Sequence, residues 1–297
     1  MKVLIIGSSG QLARALMEAT WPPGWEPAAL GRPVVDLTQP ETIAAALERE
    51  APECIINAAA YTAVDKAESD RRTAFAINRD GVETLARACA ARDIPLVHVS
   101  TDYVFDGSLN RPYSEDDPTS PATIYGMSKL AGEERIRALL PKHVILRTAW
   151  LFGPHGHNFV KTMLRLARTR DEIAVVDDQR GNPTYVPHLA EAIITLLRRL
   201  AAHPHSATVW GTYHLAGGGA ATWAAMAREA LAHSVRLGGP AARVRPITTA
   251  DYPTPARRPM DSRLDCSKIA RVLGITLPDW RRGVALCVQR LLKEKAA

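Results

Sequence analysis

A tyrosine and a lysine four residues apart carry the first chemistry that the sequence suggests. Tyr125 and Lys129 stand at the start of a predicted helix, so their side chains share one helical face about one turn apart. A phenol with its ordinary pKa of about 10 is a poor proton donor at neutral pH, and a neighbouring ammonium group would lower that pKa. The pair therefore predicts proton transfer to a developing alkoxide, as in the reduction of a carbonyl group.

Hydroxyl groups end a predicted strand upstream of this pair. Ser100 and Thr101 follow the apolar run Leu96 to Val99. Open α/β sheets collect their ligands at the carboxyl ends of parallel strands, where a hydroxyl can hydrogen-bond a substrate oxygen. A solvated helix pair without a catalytic role is the alternative. The predicted catalytic residues are Thr101, Tyr125 and Lys129.

A glycine-rich turn near the start of the chain is typical of a phosphate-binding loop. It joins the apolar run Val3 to Ile6 to a helical pattern and reads GxxGxxA. Free backbone N–H groups and the positive end of the helix dipole suit a pyrophosphate at such a turn. The strand-turn-helix context predicts dinucleotide binding, with a plain structural turn as the alternative. The cofactor-binding residues predicted here are Gly7, Gly10, Gln11 and Leu12.

The residues after the second predicted strand bear on the choice between NADPH and NADH. An acidic residue at this strand end binds the ribose hydroxyls in NAD sites, but here Arg32 follows Leu30 and Gly31. An arginine in this place can pair with a 2′-phosphate, so NADPH is favoured while NADH stays open. Asp36, for the adenine amino group, and Leu37 are further candidate cofactor residues.

Strand-like and helix-like runs alternate over the first half of the chain. Apolar runs without polar alternation take turns with helical runs from Val3 to Leu146, which predicts βαβ units around one parallel sheet. Past about residue 150, helical runs are separated by loops rich in Pro, Gly and Thr. The predicted fold is α/β: a Rossmann-type doubly wound parallel sheet over residues 1–150 and a smaller mixed substrate lobe over residues 151–297. Some segments of that lobe are expected to return to the sheet.

Composition excludes several classes of protein. The 297 residues are 46% apolar and 23% charged, as in ordinary soluble globular proteins. The net charge of +6 is scattered, without the basic and aromatic stripe of a nucleic-acid surface. No run approaches the length of a membrane span, and the four cysteines and nine histidines lack metal-ligand spacing. We therefore expect a cytoplasmic protein with a small anionic ligand, and neither a metal, a nucleic acid nor a membrane as partner.

Together these motifs resemble the extended short-chain dehydrogenase/reductase family. The resemblance is carried by the glycine turn, the run Asn57-Ala-Ala-Ala, the run from Ser100 to Phe105 and the Tyr125/Lys129 pair. It continues over nearly the whole chain, through Arg147–Trp150, Asn158–Met163, Asp178–Thr184, Tyr252–Pro259 and Ser262–Leu264. It implies NADPH-dependent reduction of the C4 ketone of a dTDP-linked 6-deoxy sugar, with Tyr125 as the general acid.

The resemblance also implies roles for individual residues. Lys129 would bind the nicotinamide ribose and tune Tyr125, and Thr101 would steady the substrate carbonyl. Residues along the cofactor would be Asn57, Ala58, Ala59 and Ala60. Asp102, Tyr103 and Trp150 would line the sugar and nucleotide pocket, and Ser262 and Arg263 would lie at the nucleotide diphosphate.

Several alternatives to these roles stay open. Trp150 could be an ordinary half-buried core residue, Arg263 could only cap a helix, and Phe105 alternates like a core residue. Some family members form dimers through magnesium held in part by an acidic residue of the first helix, but Ala13-Arg14-Ala15 contains none. We therefore expect neither that metal nor that dimer, although another homodimer stays open. A regulatory subunit with the same fold, or an epimerase or dehydratase of nucleotide sugars, is the alternative function.

Overall fold

The computed structural model describes residues 1–203 and 207–294, so residues 204–206 and the last three residues of the predicted second lobe lie outside it. Its strands are β1 (Lys2–Ile6), β2 (Glu26–Leu30), β3 (Cys54–Asn57), β4 (Leu96–Thr101), β5 (His143–Thr148), β6 (Leu151–Phe152), β7 (Glu172–Val176), β8 (Arg180–Gly181), β9 (Thr184–Tyr185), β10 (Gly211–His214), β11 (Ala221–Thr222) and β12 (Arg243–Ile247). Its helices are α1 (Gln11–Glu18), α2 (Pro40–Glu50), α3 (Val64–Ala67), α4 (Arg71–Phe75), α5 (Val82–Ala90), α6 (Ile124–Leu139), α7 (Phe159–Leu166), α8 (Val186–Ala202), α9 (Trp223–Arg236), α10 (Ser267–Leu273) and α11 (Trp280–Lys293).

A six-stranded sheet in the order β10-β5-β4-β3-β1-β2 forms the centre of the fold. Every pairing in it is parallel. The strand order reverses between β1 and β3, and a ligand crevice is expected at the carboxyl ends of strands that flank such a switch point. The predicted Rossmann-type α/β fold is confirmed.

The apolar residues of β1 divide between two cores because successive side chains of a strand point to opposite faces. Val3 and Ile5 pack in a core with α1 and α8. Leu4 and Ile6 pack in a second core with α2 and α5. Both faces of the sheet are therefore covered, which explains the uninterrupted apolar run in the sequence.

The second half of the chain contributes to two parts of the molecule. Strand β10 pairs with β5, and α8 packs on α1, so residues beyond 150 complete the central sheet and its cover. Helices α7, α9 and α11 form a separate core with Phe152 and Ile173. None of the helices within the described ranges combines the length and apolar character that a membrane span requires.

The helical segment that precedes β4 is not a single α-helix. It consists of α4, a π-helical turn over Ala76–Gly81, and α5. The turn directs Asn78 inward, where its amide donates to Ser128 Oγ at 2.9 Å and to Tyr61 O at 3.0 Å. These bonds tie the segment after β3 to helix α6. A periodicity argument could not predict them because they join three separate parts of the chain.

Candidate active site

A cavity of about 970 Å³ opens at the carboxyl ends of the central strands. Its wall includes the glycine turn after β1, the segment after β3, the start of α6 and residues after β5. The predicted site residues that line it are Gly7, Gly10, Gln11, Leu12, Arg32, Asp36, Leu37, Ala58, Ala59, Ala60, Thr101, Asp102, Tyr103, Tyr125, Lys129 and Trp150. Asn57, Ser262 and Arg263 are absent from that lining within the described residues.

The glycine turn has the geometry that a dinucleotide pyrophosphate needs. Gly7 has φ +108°, and a Cβ at this position would lie only 3.0 Å from the backbone nitrogen of Ala59. Gly10 precedes α1 without a capping side chain, and a Cβ there would meet open space. The first N–H groups of α1 are therefore open to an anionic group, and the residues present fit a bound dinucleotide.

Arg32 and Asp36 lie together at the adenosine end predicted for this cavity. Arg32 is exposed on the cavity wall. Asp36 Oδ1 accepts from Thr38 N at 2.9 Å and from Thr38 Oγ1 at 2.8 Å. These bonds to Thr38, with a smaller effect of Arg32, hold the pKa of Asp36 below its usual value. The carboxylate is thus engaged by its own turn, while Arg32 lies exposed on the cavity wall.

Thr101 and Asp102 form a buried hydroxyl-carboxyl pair at the end of β4. Thr101 Oγ1 donates to Asp102 Oδ1 at 3.1 Å and accepts from Tyr103 N at 3.1 Å. Burial raises the pKa of Asp102 to about 6, and the hydroxyls of Ser262 and Thr101 partly offset that rise. No described group forms a well-shaped hydrogen bond to the buried Oδ2 atom. The site therefore retains an unused acceptor next to the hydroxyl of Thr101.

Helix α6 begins where it can present Tyr125 to this pair. Thr123 caps the helix by accepting from Gly126 N at 3.0 Å. A Cβ on Gly126 would lie 2.1 Å from Tyr103 O, so only glycine lets the first turn pack so closely against that segment. The ring of Tyr125 meets the ring of Tyr103 edge-on, with centroids 5.7 Å apart.

The pKa of Tyr125 differs from the sequence-based expectation. Burial raises this pKa, and the charges of Asp102 and Tyr103 add to the rise, while a hydrogen bond with Thr101 counteracts it. The expected lowering by a neighbouring ammonium is wrong for the ligand-free chain. Lys129 does not contribute to this shift, and it makes no hydrogen bond to Tyr125 within the described part of the structure.

Lys129 is instead bonded to groups of strand β4. Its Nζ donates to Val99 O at 2.7 Å and lies 3.1 Å from His98 Nε2. Only 2% of Lys129 is exposed. Burial lowers the pKa of Lys129 to about 8, and Glu133 acts in the opposite direction. Sequence reasoning missed His98 because nothing in the YxxxK spacing identifies a partner on another element.

A buried ion pair lies beneath the site. Glu133 of α6 accepts from Arg147 Nη2 at 2.7 Å and from Ser100 Oγ at 2.5 Å. Arg147 belongs to β5 and Ser100 to β4, so this carboxylate joins the helix of Tyr125 to two strands. The sequence spacing places Lys129 and Glu133 on one helical face, but it does not identify the residues on other elements that bond to them.

Two tryptophans form the wall on the substrate side. Trp150 follows β5 with φ +48°, and its ring stacks on Trp223 with centroids 3.6 Å apart and an interplanar angle of 4°. Both residues line the cavity, and Trp150 also packs on the core around α9. Trp223 was not predicted, because it begins a helix far away in sequence. Phe105 is fully buried and stacks on Tyr113, so its core interpretation is confirmed.

The basic residue of this wall is Arg258. Its Nη1 donates to Tyr103 Oη at 3.1 Å, and its Nη2 donates to Asp65 Oδ2 at 2.8 Å. The predicted Arg263 is instead held by Asp261 through a 2.6 Å bond from Nη2. The structure therefore does not bring Arg263 to the cavity, whereas Arg258, from the earlier segment Tyr252–Pro259, lines it.

Comparison with known proteins identifies the family. The sheet order, glycine turn and Tyr-Lys helix define a Rossmann-type protein of short-chain dehydrogenase/reductase architecture. The chain belongs to the family described as RmlD substrate binding domain, whose model matches residues 1–293.

Relatives with a named activity match this chain over nearly its full length. A dTDP-4-dehydrorhamnose reductase from Sinorhizobium fredii (strain NBRC 101917 / NGR234) is 47% identical over 294 residues, 99% of either chain. A crystal structure of a dTDP-4-dehydrorhamnose reductase from Clostridium acetobutylicum has a TM-score of 0.90 and 36% identity, and covers 98% of this chain and all of that one. The Bacillus anthracis dTDP-4-dehydrorhamnose reductase, solved in complex with NADP, has a TM-score of 0.88 and 35% identity, with 99% of each chain covered.

Proposed function

We propose that this chain reduces the C4 ketone of dTDP-4-dehydro-L-rhamnose to dTDP-L-rhamnose, with NADPH preferred to NADH. The observation that carries the proposal is the single crevice that joins an open glycine turn to Thr101 and Tyr125. The names of the similar proteins support the substrate, and the NADP complex of the Bacillus anthracis protein supports the cofactor.

NADPH, when bound, supplies the hydride for such a reduction, while residues of the chain hold it in place. The glycine turn and the start of α1 would bind the pyrophosphate, and Arg32 would bind the 2′-phosphate. Lys129 lies where the cavity passes between β4 and α6 and would bind the nicotinamide ribose. Ala58, Ala59 and Ala60 would line the cofactor without side chains that obstruct it.

Tyr125 would donate the proton to the alkoxide oxygen at C4. Since burial raises the pKa of Tyr125, the phenol keeps its proton throughout the neutral range, and a reduction needs that protonated form. The Thr101 hydroxyl, which hydrogen-bonds Tyr125, would orient the same oxygen. The protonated phenol beside the Thr101 hydroxyl supports an acid role for Tyr125 in the reductive direction.

The remaining wall would hold the nucleotide sugar. Asp102 offers a buried carboxyl oxygen to a sugar hydroxyl, and Trp150 with Trp223 offers a flat apolar surface. Arg258 would meet the diphosphate, the role that sequence reasoning gave to Arg263. Tyr103 lies between Arg258 and Tyr125 and would close the space between the two ends of the substrate.

A reduction assay tests this function. Purified protein is mixed with dTDP-4-dehydro-L-rhamnose and either NADPH or NADH, and loss of the reduced nicotinamide absorbance is followed while the sugar product is identified chromatographically. We expect oxidation of NADPH, faster than that of NADH, and one dTDP-L-rhamnose formed per NADPH consumed. No oxidation with either cofactor would refute the proposal. Conversion of the sugar without net oxidation would instead indicate an epimerase or dehydratase.

A further inference from the structure

A short acidic segment after β3 packs beside the tyrosines of the cavity. Helix α3 buries Ala67 in a cluster with Tyr125, and Tyr103 packs against the same cluster. Glu68, the residue after α3, accepts through Oε1 from Ile124 N at 2.9 Å, and Ile124 is the first residue of α6. Two contacts therefore fix α3 to the helix that carries Tyr125.

Asp65 of α3 binds the segment Tyr252–Pro259 at two points. Its Oδ2 accepts from Arg258 Nη2 at 2.8 Å, and its Oδ1 accepts from Ala256 N at 3.3 Å. Within Tyr252–Pro259 the chain forms neither helix nor strand. Asp65 thus holds both the backbone and a side chain of a segment that has no regular structure of its own.

The guanidinium of Arg258 is held at two of its donors. Besides the bond to Asp65, its Nη1 donates to Tyr103 Oη at 3.1 Å. A guanidinium has five N–H groups in one plane, and the described structure assigns two of them to protein acceptors. Arg258 and Tyr103 line the cavity, whereas Asp65 is not among its described lining residues. The other donors of Arg258 are therefore available to an anionic ligand.

The ion pair between Asp65 and Arg258 is too exposed to be explained by stability. The two side chains are 40% and 28% exposed, and ion pairs in such surroundings contribute little to the free energy of unfolding. The pair does restrict a long side chain that otherwise has many rotamers. An arginine that is already ordered in the free protein loses less conformational entropy when it binds a ligand.

We propose that Asp65 is a positioning residue that orders Arg258 to receive the diphosphate of the nucleotide sugar. Asp65 holds Nη2 and the backbone of Ala256, and Tyr103 holds Nη1, so the plane of the guanidinium is set before the ligand binds. This inference rests on the proposed function, which supplies the diphosphate.

Charge alone predicts the opposite effect. The carboxylate of Asp65 lies beside Arg258 and repels a diphosphate, so removal of Asp65 would tighten binding if this residue acted only through its charge. If Asp65 acts through position, its removal releases Arg258 and weakens binding. The sign of the change in affinity therefore separates the two effects.

Binding of dTDP and of thymidine to the protein without cofactor tests the proposal. Wild type and Asp65→Ala are compared by calorimetry for dTDP and by NMR titration for thymidine. We expect the Kd for dTDP to rise about five- to tenfold, the effect of having to immobilise one long side chain on binding. The Kd for thymidine, which lacks the diphosphate, should stay unchanged. Equal or tighter binding of dTDP, or an equal loss for thymidine, would overturn the proposal.

The matched control is Asp80→Ala. Asp80 also forms an ion pair with an arginine, Arg79, but this pair lies outside the described lining of the cavity. Asp80→Ala removes the same charge as Asp65→Ala and should change neither Kd. A loss of dTDP affinity in Asp80→Ala equal to that in Asp65→Ala would show a general charge effect and would overturn the proposal.

A double-mutant cycle tests whether Asp65 acts through Arg258. Arg258→Ala should itself weaken dTDP binding, because the guanidinium is lost. In that background Asp65→Ala should cause no further loss, since the side chain that Asp65 positions is gone. A full additional loss in the double variant would show that Asp65 acts on another group, and would contradict the proposal.

A second variant keeps the test decisive if Asp65→Ala does not fold. Asp65→Asn has nearly the same shape and retains one oxygen that can accept from Arg258 or from Ala256 N. We expect its Kd for dTDP to rise about twofold or more, because one of the two bonds is lost, while the Kd for thymidine stays unchanged. An unchanged or lower Kd for dTDP would overturn the proposal.

Failure of this inference is distinct from failure of the proposed function. If dTDP binding depends on Asp65 as expected but no NADPH is oxidised with the ketosugar, the reduction is refuted and the positioning role is retained. If the ketosugar is reduced and Asp65→Ala changes neither the dTDP affinity nor the KM for the sugar, the positioning role alone is refuted. Absence of dTDP binding to the wild type would refute both.

Discussion

Replacement of Glu133 by glutamine is expected to destabilise the protein strongly. Glu133 has no exposed surface and accepts from Arg147 at Nε (3.0 Å) and Nη2 (2.7 Å), from Ser100, and from Arg137 Nη1 at 3.0 Å. Glutamine preserves the volume but removes the charge and replaces one acceptor by a donor. Arg147, itself 3% exposed, then remains in the core without its counter-charge.

The expected loss is about 3–5 kcal/mol, the cost of stranding one member of a buried ion pair. This is a large part of a typical unfolding free energy of about 5–15 kcal/mol. The loss should depend on pH. Burial alone would raise the pKa of Glu133, but Arg147 and the hydrogen bonds outweigh it and hold that pKa below 4.5. The stabilisation is therefore present above about pH 4.5 and is lost as the pH falls through the folded-state pKa.

Urea denaturation followed by tryptophan fluorescence measures this loss. Glu134→Gln is the matched control, since the neighbouring residue is exposed and should change the unfolding free energy by less than about 0.5 kcal/mol. Addition of Arg147→Met to Glu133→Gln should recover part of the loss, because the stranded charge is removed. If Glu133→Gln were as stable as Glu134→Gln at neutral pH, the ion pair would not have the energetic role assigned to it.

Three further predictions concern the site. Tyr125→Phe should lower turnover about a hundredfold or more yet retain NADPH binding, as measured by steady-state kinetics and fluorescence titration; near wild-type turnover would remove Tyr125 from the acid role. Arg32→Ala should raise the KM for NADPH about tenfold or more and leave that for NADH unchanged, because only NADPH carries the phosphate; Arg49→Ala, beside the amino ends of β1 and β2, is the control. Asp102 has its pKa raised to about 6 by burial, so its stabilising effect is present below pH 3.8 and is lost as the pH rises toward 6. Between pH 4 and pH 7 the unfolding free energy of the wild type should therefore fall by about 3 kcal/mol relative to that of Asp102→Asn, as measured by urea denaturation. Identical pH dependence of the two proteins would contradict the buried environment of Asp102.

Patterns within single elements could be predicted from the sequence. The apolar runs that became β1, β3 and β4, the glycine turn, and helix α6 all combine a local pattern with a clear boundary signal. Tyr125 and Lys129 share a buried face because the helical spacing requires it. A parallel sheet puts the carboxyl ends of its strands at one edge, which is why the residues after β1 and β4 were expected to lie beside the same crevice.

Contacts between distant segments could not be predicted. Lys129 and His98 are 31 residues apart, and Asn57, which contacts the other side of the His98 ring, belongs to a third element. Arg258 and Arg263 lie close together in sequence, and only the pairing of Arg263 with Asp261 shows which guanidinium reaches the cavity. Helix α11 was also not predicted, because it follows a proline-containing segment and carries many basic residues beside its apolar stripe.

The central claim is that one crevice brings a reduced nicotinamide and the C4 carbon of a dTDP-linked ketosugar together beside Tyr125. Transfer of deuterium tests it most directly, with NADPH deuterated on each face of the nicotinamide C4 in turn. We predict that one of the two cofactors transfers its deuterium to C4 of dTDP-L-rhamnose, as seen by mass spectrometry and proton NMR of the product. A product formed without deuterium from either cofactor, or with deuterium at another carbon, would contradict the account.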